Sequence, residues 1–214
     1  MSSHPAVDHP SAWVARFAPL IPQGEVLDLA CGSGRHARLL AAMGHPVLAV
    51  DRDAQALAAT NGSAKPTNGS APPSSALPAV AAGQGINTLQ IDLESDSGPR
   101  FSWPFEPNRF AGIVVTNYLH RPLFPPILDS LAVNGVLIYE TFAQGNGRFG
   151  KPSNPDFLLE PGELLQMAGA DSSHSLRIIA FEDGYIDQPK PAMVQRICIV
   201  KAGSDILPHS VRLN

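Results

Sequence analysis

Apolar runs alternate with amphipathic ones along most of this chain. Val26, Leu27, Leu29 and Ala30 form a short apolar run around Asp28, which stops at Cys31-Gly32-Ser33-Gly34. Leu39, Leu40 and Met43 then share one face at helical spacing. That pattern predicts a strand, a glycine turn and a helix. A second apolar run at 46–50 ends in Asp51, and residues 53–59 can open another helix. Strands three and four are predicted at 86–91 and 110–116. Leu123, Phe124, Ile127, Leu128 and Leu131 recur as a helix would require, Asn134-Gly135 makes a turn, and 136–139 is strand five. Upstream, Trp13, Val14 and Phe17 share a face of a short helix at 11–20, with Ser11 as its N-cap.

The end of the chain reads differently. Pro161 is placed to open a short helix. Two strands at 176–181 and 193–200 are joined through Asp187-Gln188-Pro189-Lys190-Pro191, too short and too rich in proline for a crossover helix. They should pair antiparallel. The expected fold is α/β: a Rossmann-like, doubly wound, seven-stranded sheet, mostly parallel, with an antiparallel C-terminal hairpin. Residues 143–159 form a long loop whose glycines and prolines oppose regular structure.

Composition interrupts this pattern once. Residues 61–84 are rich in Ala, Ser, Pro and Gly and lack the apolar surface to offset their ordering entropy. They read as a low-complexity insertion within one domain spanning 1–214. The net charge is −4 and no run of Lys and Arg occurs, which argues against a large nucleic-acid footprint while leaving room for a small basic groove. The two cysteines, Cys31 and Cys198, have no CxxC or Cys/His partners, so no metal site is expected. No signal-peptide pattern opens the chain and no apolar run approaches a membrane span, so a cytoplasmic protein with no membrane partner is expected.

The glycine turn lets the backbone bend sharply and approach a ligand at a helix N-terminus. An acid at the end of the next strand, here Asp51, commonly holds ribose hydroxyls. The segment Gly32-Ser33-Gly34-Arg35-His36-Ala37 is a variant of the dinucleotide-binding GxGxxG pattern. The acid within strand one and the terminal antiparallel hairpin weigh against a dehydrogenase. With VLDLACGSG, VLAVDRD, QIDLE, FAGIVVTNYL and LAVNGVLIYETF in that order, the chain resembles the class I S-adenosylmethionine-dependent methyltransferases. RHARLLAAMGH and RFGKPSNPDFLLEPGELL are similar to small bacterial methyltransferases of the tellurite-resistance type. One departure is Ala111, where the family usually has an acid.

The resemblance implies an S-adenosylmethionine cofactor and a set of residues to hold it. Asp28, Ala30, Cys31, Gly32 and Gly34 would surround the methionyl portion, Asp51 the ribose, and Arg52, Asp92 and Leu93 the adenine. Thr116, Asn117, Tyr118, His120, Arg121, Glu140, Thr141 and Phe142 would lie at the carboxyl ends of strands four and five. His120 and Tyr118 are the catalytic candidates, His120 because neutral imidazole is available near pH 7. Arg121 could pair with an anionic substrate or be a plain surface residue. His36 could reach the site or merely pack. Arg148, Phe149 and Lys151 could form a substrate lid. The expected activity is methyl transfer to a small molecule, with an RNA or protein acceptor, or binding without catalysis, as alternatives. The oligomeric state is not legible.

Overall fold

In the computed structural model, residues 9–60, 85–94 and 103–203 are described. The insertion expected at about 61–84 lies outside them. The first helix, α1 (Ala12–Phe17), starts at Ser11, whose hydroxyl accepts from the Trp13 N–H at 3.1 Å, and it buries Trp13, Val14 and Phe17. β1 (Val26–Leu29) is buried at every position and leads through the glycine turn into α2 (Arg35–Ala42). β2 (Val47–Asp51), α3 (Ala54–Thr60) and β3 (Ile86–Gln90) follow. Next come β4 (Phe110–Thr116), α4 (Phe124–Ser130) and β5 (Leu131–Phe142). The chain then forms α5 (Glu163–Ala170), β6 (Leu176–Ile186) and β7 (Ala192–Lys201).

Among the described residues the seven strands make one sheet in the order β3-β2-β1-β4-β5-β7-β6. β1 to β5 run parallel, while β7 is antiparallel to both β5 and β6. Side chains alternate across the sheet as a pleat requires. Leu27, Leu29, Ile113, Val115, Leu137, Tyr139, Ile197 and Ile199 face one core, which Phe124, Ile127, Leu128 and Leu164 of α4 and α5 complete. Val26, Val114, Val136, Ile138, Cys198 and Val200 face the other, against Trp13, Val14, Phe17, Ala37, Leu40 and Leu57 of α1, α2 and α3. Each fully buried aliphatic side chain contributes on the order of 2 kcal/mol, so the two cores hold the winding together.

Local boundaries depart from the sequence pattern in three places. Leu131 opens β5 instead of ending α4, and Asn134-Gly135 lies inside β5, where the register slips between Phe110↔Leu131 and Gly112↔Val136. Pro161 precedes α5, because Gly162 takes a left-handed φ of 71° and acts as the N-cap. The terminal strands also extend further than expected, to Ile186 and from Ala192. Ala111 now has a packing reason: its Cβ lies where Gly24 leaves space, 2.7 Å from the Cβ that any other residue there would carry. The two strand starts are also tied by a buried ion pair, in which Arg109 donates to both carboxylate oxygens of Glu25 at 2.9 Å.

Candidate active site

The chain winds outward from β1 through β2 to β3, then returns to β4 on the other side. The carboxyl ends of β1 and β4 therefore part at a switch point, where open α/β sheets bind ligands. A cleft of about 860 Å³ opens there. Ala30, Cys31, Gly32, Asp51, Arg52, Asp92, Leu93, Thr116, Asn117 and Tyr118 all line it. Asp28, Gly34 and His120 do not.

The glycine turn is built by short-range geometry. Ala30 and Gly32 hold φ values of 53° and 55°, and Gly34 caps α2 at 75°. Gly34 also admits α3, since a Cβ there would fall 2.3 Å from a methyl of Thr60. Thr60 in turn donates its hydroxyl to the Gly32 carbonyl at 3.2 Å. Asp51 anchors the turn from β2: one carboxylate oxygen accepts from the Gly32 N–H at 2.8 Å and the other from the Asp53 N–H at 2.9 Å. A carboxylate has about four acceptor positions, so both oxygens keep lone pairs for a ligand.

Asp28 lies beneath this turn, 1% exposed, and neither carboxylate oxygen has a hydrogen-bond partner. Burial lifts its pKa from 3.8 to about 7, opposed by the Ala37 N–H and by Arg35. That N–H favours the charged form without reaching hydrogen-bond geometry. The Cys31 thiol is pushed up by burial and by the two nearby aspartates, so it stays protonated. The Tyr118 hydroxyl is likewise pushed up, by burial and then by Glu94, and stays a phenol.

The opposite half of the cleft was poorly foreseen. His9, Pro10, Ser11 and Ala12 form one part of its wall, with Arg35 from α2. Glu140 and Phe142 of β5 and Val194 and Arg196 of β7 form another, with Gln188, Pro189 and Lys190 of the hairpin connector. Antiparallel pairing sets Glu140 opposite Arg196, and their side chains pair at 3.1 Å. Burial raises the Glu140 carboxyl, and Arg196 and the Ser11 hydroxyl counter it. Acids therefore mark the β2–β3 side, through Asp51, Asp92 and Glu94. The other side carries Arg35, Lys190 and Arg196 against Glu140.

Other expected residues serve different ends. Arg121 donates to both oxygens of Glu163 and to the carbonyls of Asp156 and Leu158, which fastens the loop after β5 to α5. That loop wraps buried Asn146, which donates to the Pro152 carbonyl at 3.0 Å and accepts from the Met193 N–H at 3.1 Å. Arg148, Phe149 and Lys151 stay outside the cleft wall, and Phe149 packs at a 45° tilt against Tyr185 with ring centroids 5.1 Å apart. Among the described residues, no three His, Cys, Asp or Glu side chains converge as a metal cage, and no helix is long and apolar enough to cross a membrane.

The fold matches solved structures over nearly its whole length. TehB from Haemophilus influenzae superposes with a TM-score of 0.62 at 17% identity, covering 90% of this chain and 62% of that one. An S-adenosylmethionine-dependent methyltransferase from Methanosarcina mazei gives 0.60 at 14% identity, covering 91% and 99%. One from Mesorhizobium loti gives 0.60 at 15%, covering 89% and 98%. This is the class I S-adenosylmethionine-dependent methyltransferase fold. The family model for Tellurite resistance protein TehB matches residues 10–92, which span α1, the glycine turn, β2 and β3. Both findings agree with the methyltransferase resemblance of the sequence, including its likeness to the tellurite-resistance type. The chain spans less than two thirds of the Haemophilus protein's length. No curated protein sequence matches it.

Proposed function

We propose that this cleft binds S-adenosylmethionine and directs methyl transfer to a small-molecule acceptor, with residues 1–214 acting as one cytoplasmic domain. The observation that carries the reading is Asp51. It ends β2, clamps the Gly32 N–H at 2.8 Å and keeps lone pairs on a cleft at the switch point. That arrangement fits a ribose diol. Gly32 fits the same cofactor, because a Cβ there would meet nothing within 4 Å and the space beside the turn is open. Asp92, the Leu93 backbone and Arg52 are placed for the adenine. Ala30, Cys31, Thr116 and Asn117 are placed for the methionyl end. Asp28 and Gly34, beneath the wall, support the turn.

When bound, the cofactor supplies an electrophilic methyl group on a sulfonium sulfur. The chain's part is to align and to exclude water. Tyr118 does this as a neutral phenol in the wall; its raised pKa makes it a donor and a steric flank rather than a base. His120 stands outside the wall, so a role for it requires movement or a relay. The cleft volume falls in the range of small-ligand sites, which favours a small acceptor over RNA or protein.

Calorimetry with S-adenosylhomocysteine tests the cofactor assignment. Wild type should bind, and Asp51→Ala should bind about a hundredfold more weakly, the loss of two hydrogen bonds to a charged acceptor. Unchanged affinity would remove Asp51 from the ribose site; no wild-type binding would remove the cofactor. Radiolabelled methyl transfer into fractionated extract should label the small-molecule fraction. Label in RNA or protein would overturn the choice of acceptor, and no label in any fraction would favour a binding protein.

A further inference from the structure

His36 sits in the first turn of α2, is 1% exposed, and does not line the cleft. Its ring joins two residues that do. The Ser11 N–H donates to Nε2 at 3.1 Å, and the Thr116 hydroxyl lies 3.3 Å from Nδ1. A backbone N–H can only donate, so Nε2 must be the bare nitrogen. The proton of the neutral ring is then on Nδ1 and is donated to Thr116 Oγ1. Burial, and next Arg35, lower the His36 pKa to about 3, so the ring stays neutral across physiological pH.

Ser11 uses each of its polar groups at this point. Its N–H goes to His36, its hydroxyl accepts from the Trp13 N–H, and its carbonyl accepts from the Ala15 N–H at 2.9 Å. Arg35 adds a bond to the His9 carbonyl at 3.4 Å. The segment 9–12 is thus held by α2, which carries the glycine turn, and through the His36 ring by Thr116 at the carboxyl end of β4. We propose that His36 is a positioning residue: its Nδ1–H tautomer fixes the N-terminal segment against β4 and so shapes the acceptor side of the cleft. The inference rests on the methyltransferase reading for the word "acceptor", though the tether itself does not.

The test uses the full chain, with His36→Leu and His36→Gln. Imidazole ¹⁵N NMR of wild type should show the Nδ1–H tautomer, unchanged between pH 5 and 8. Native-state hydrogen exchange at the Ser11 amide should accelerate about tenfold in His36→Leu, the loss of one buried hydrogen bond. Amides of β1 should be unaffected. His36→Gln, whose carbonyl can accept from Ser11, should restore most of the protection. An Nε2–H tautomer in wild type, or Ser11 exchange unchanged in His36→Leu, overturns the proposal. If His36→Leu does not fold, wild-type NMR and His36→Gln still decide. S-adenosylhomocysteine calorimetry on the same wild-type sample keeps the two readings apart: absent binding would fail the cofactor assignment and leave the tether to the exchange data.

Discussion

Replacing Asp28 by Asn should stabilise the protein, and by an amount that grows with pH. The carboxyl lies in the middle strand of the parallel sheet, in register with Ala49 of β2 and Val114 of β4. It is buried and its oxygens are unpartnered, so the charged form is the costly one. A native pKa near 7 against 3.8 unfolded corresponds to about 4 kcal/mol between the two protonation states. The native state binds the extra proton. Its contribution to stability is therefore full below pH 3.8 and is lost as pH rises through about 7. Asn has the same shape without the charge. Relaxation around the carboxylate reduces the gain, so about 2 kcal/mol at pH 8.5 and close to none at pH 4 is the expected difference. Urea midpoints at constant m, taken from pH 4 to 9 for both proteins, give the difference curve and cancel other titrating groups. A flat curve, or one favouring wild type at high pH, would mean that the native carboxylate is solvated or paired. The same variant also separates support from ligand contact. Because Asp28 is outside the cleft wall, wild type and Asp28→Asn should exchange equal numbers of protons on binding S-adenosylhomocysteine, measured from buffer-dependent binding heats.

Two further outcomes follow from packing. Gly34→Ala combines a left-handed φ with a contact on Thr60, so it should cost about 3 kcal/mol by chemical denaturation and weaken cofactor binding; a loss under 1 kcal/mol would refute the close approach. Lys201→Met removes an ammonium that donates to Asn108 and to the carbonyls of Leu128 and Leu131 at 2.8–3.0 Å, so it should cost about 2 kcal/mol with m unchanged.

The winding was legible because period-2 and period-3.6 patterns are local, and the acids Asp51 and Asp92 stand at strand ends that sequence order alone locates. The antiparallel closure was readable from one proline-rich connector. What escaped was anything needing sheet order. Ser11 read as a helix cap, which it is, but its meeting with His36, 25 residues on, depends on α1 and α2 packing on the same face of the sheet. Arg196 was an anonymous residue in an apolar strand until antiparallel register set it opposite Glu140. Arg121 read either as a substrate partner or as a plain surface residue, because Glu163 is 42 residues away along the chain. His120 and Tyr118 are two residues apart, and only the turn after β4 sends one into the wall and leaves the other out.

That turn explains why the cleft opens where it does. Ala30 after β1 and Asn117 after β4 both adopt left-handed backbone, at 53° and 55°. Such a conformation costs a non-glycine residue on the order of 1–2 kcal/mol, and Asn bears it more easily than Ala. Each is held by the neighbouring strand: the Cys31 N–H, just past Ala30, donates to Val50, and the Asn117 N–H donates to Glu140, both at 2.9 Å. The two strands flanking the switch point therefore turn away immediately after their last pairs. Ala30 carries the chain toward Asp51, and Asn117 carries it toward Tyr118. The backbone bonds on either side offset the cost of the left-handed turns. The half of the cleft around the glycine turn is thereby fixed by local backbone and a single acid, Asp51, which sequence motifs can encode. The opposite half is assembled from α1, α2, β5 and β7, which no contiguous motif can record.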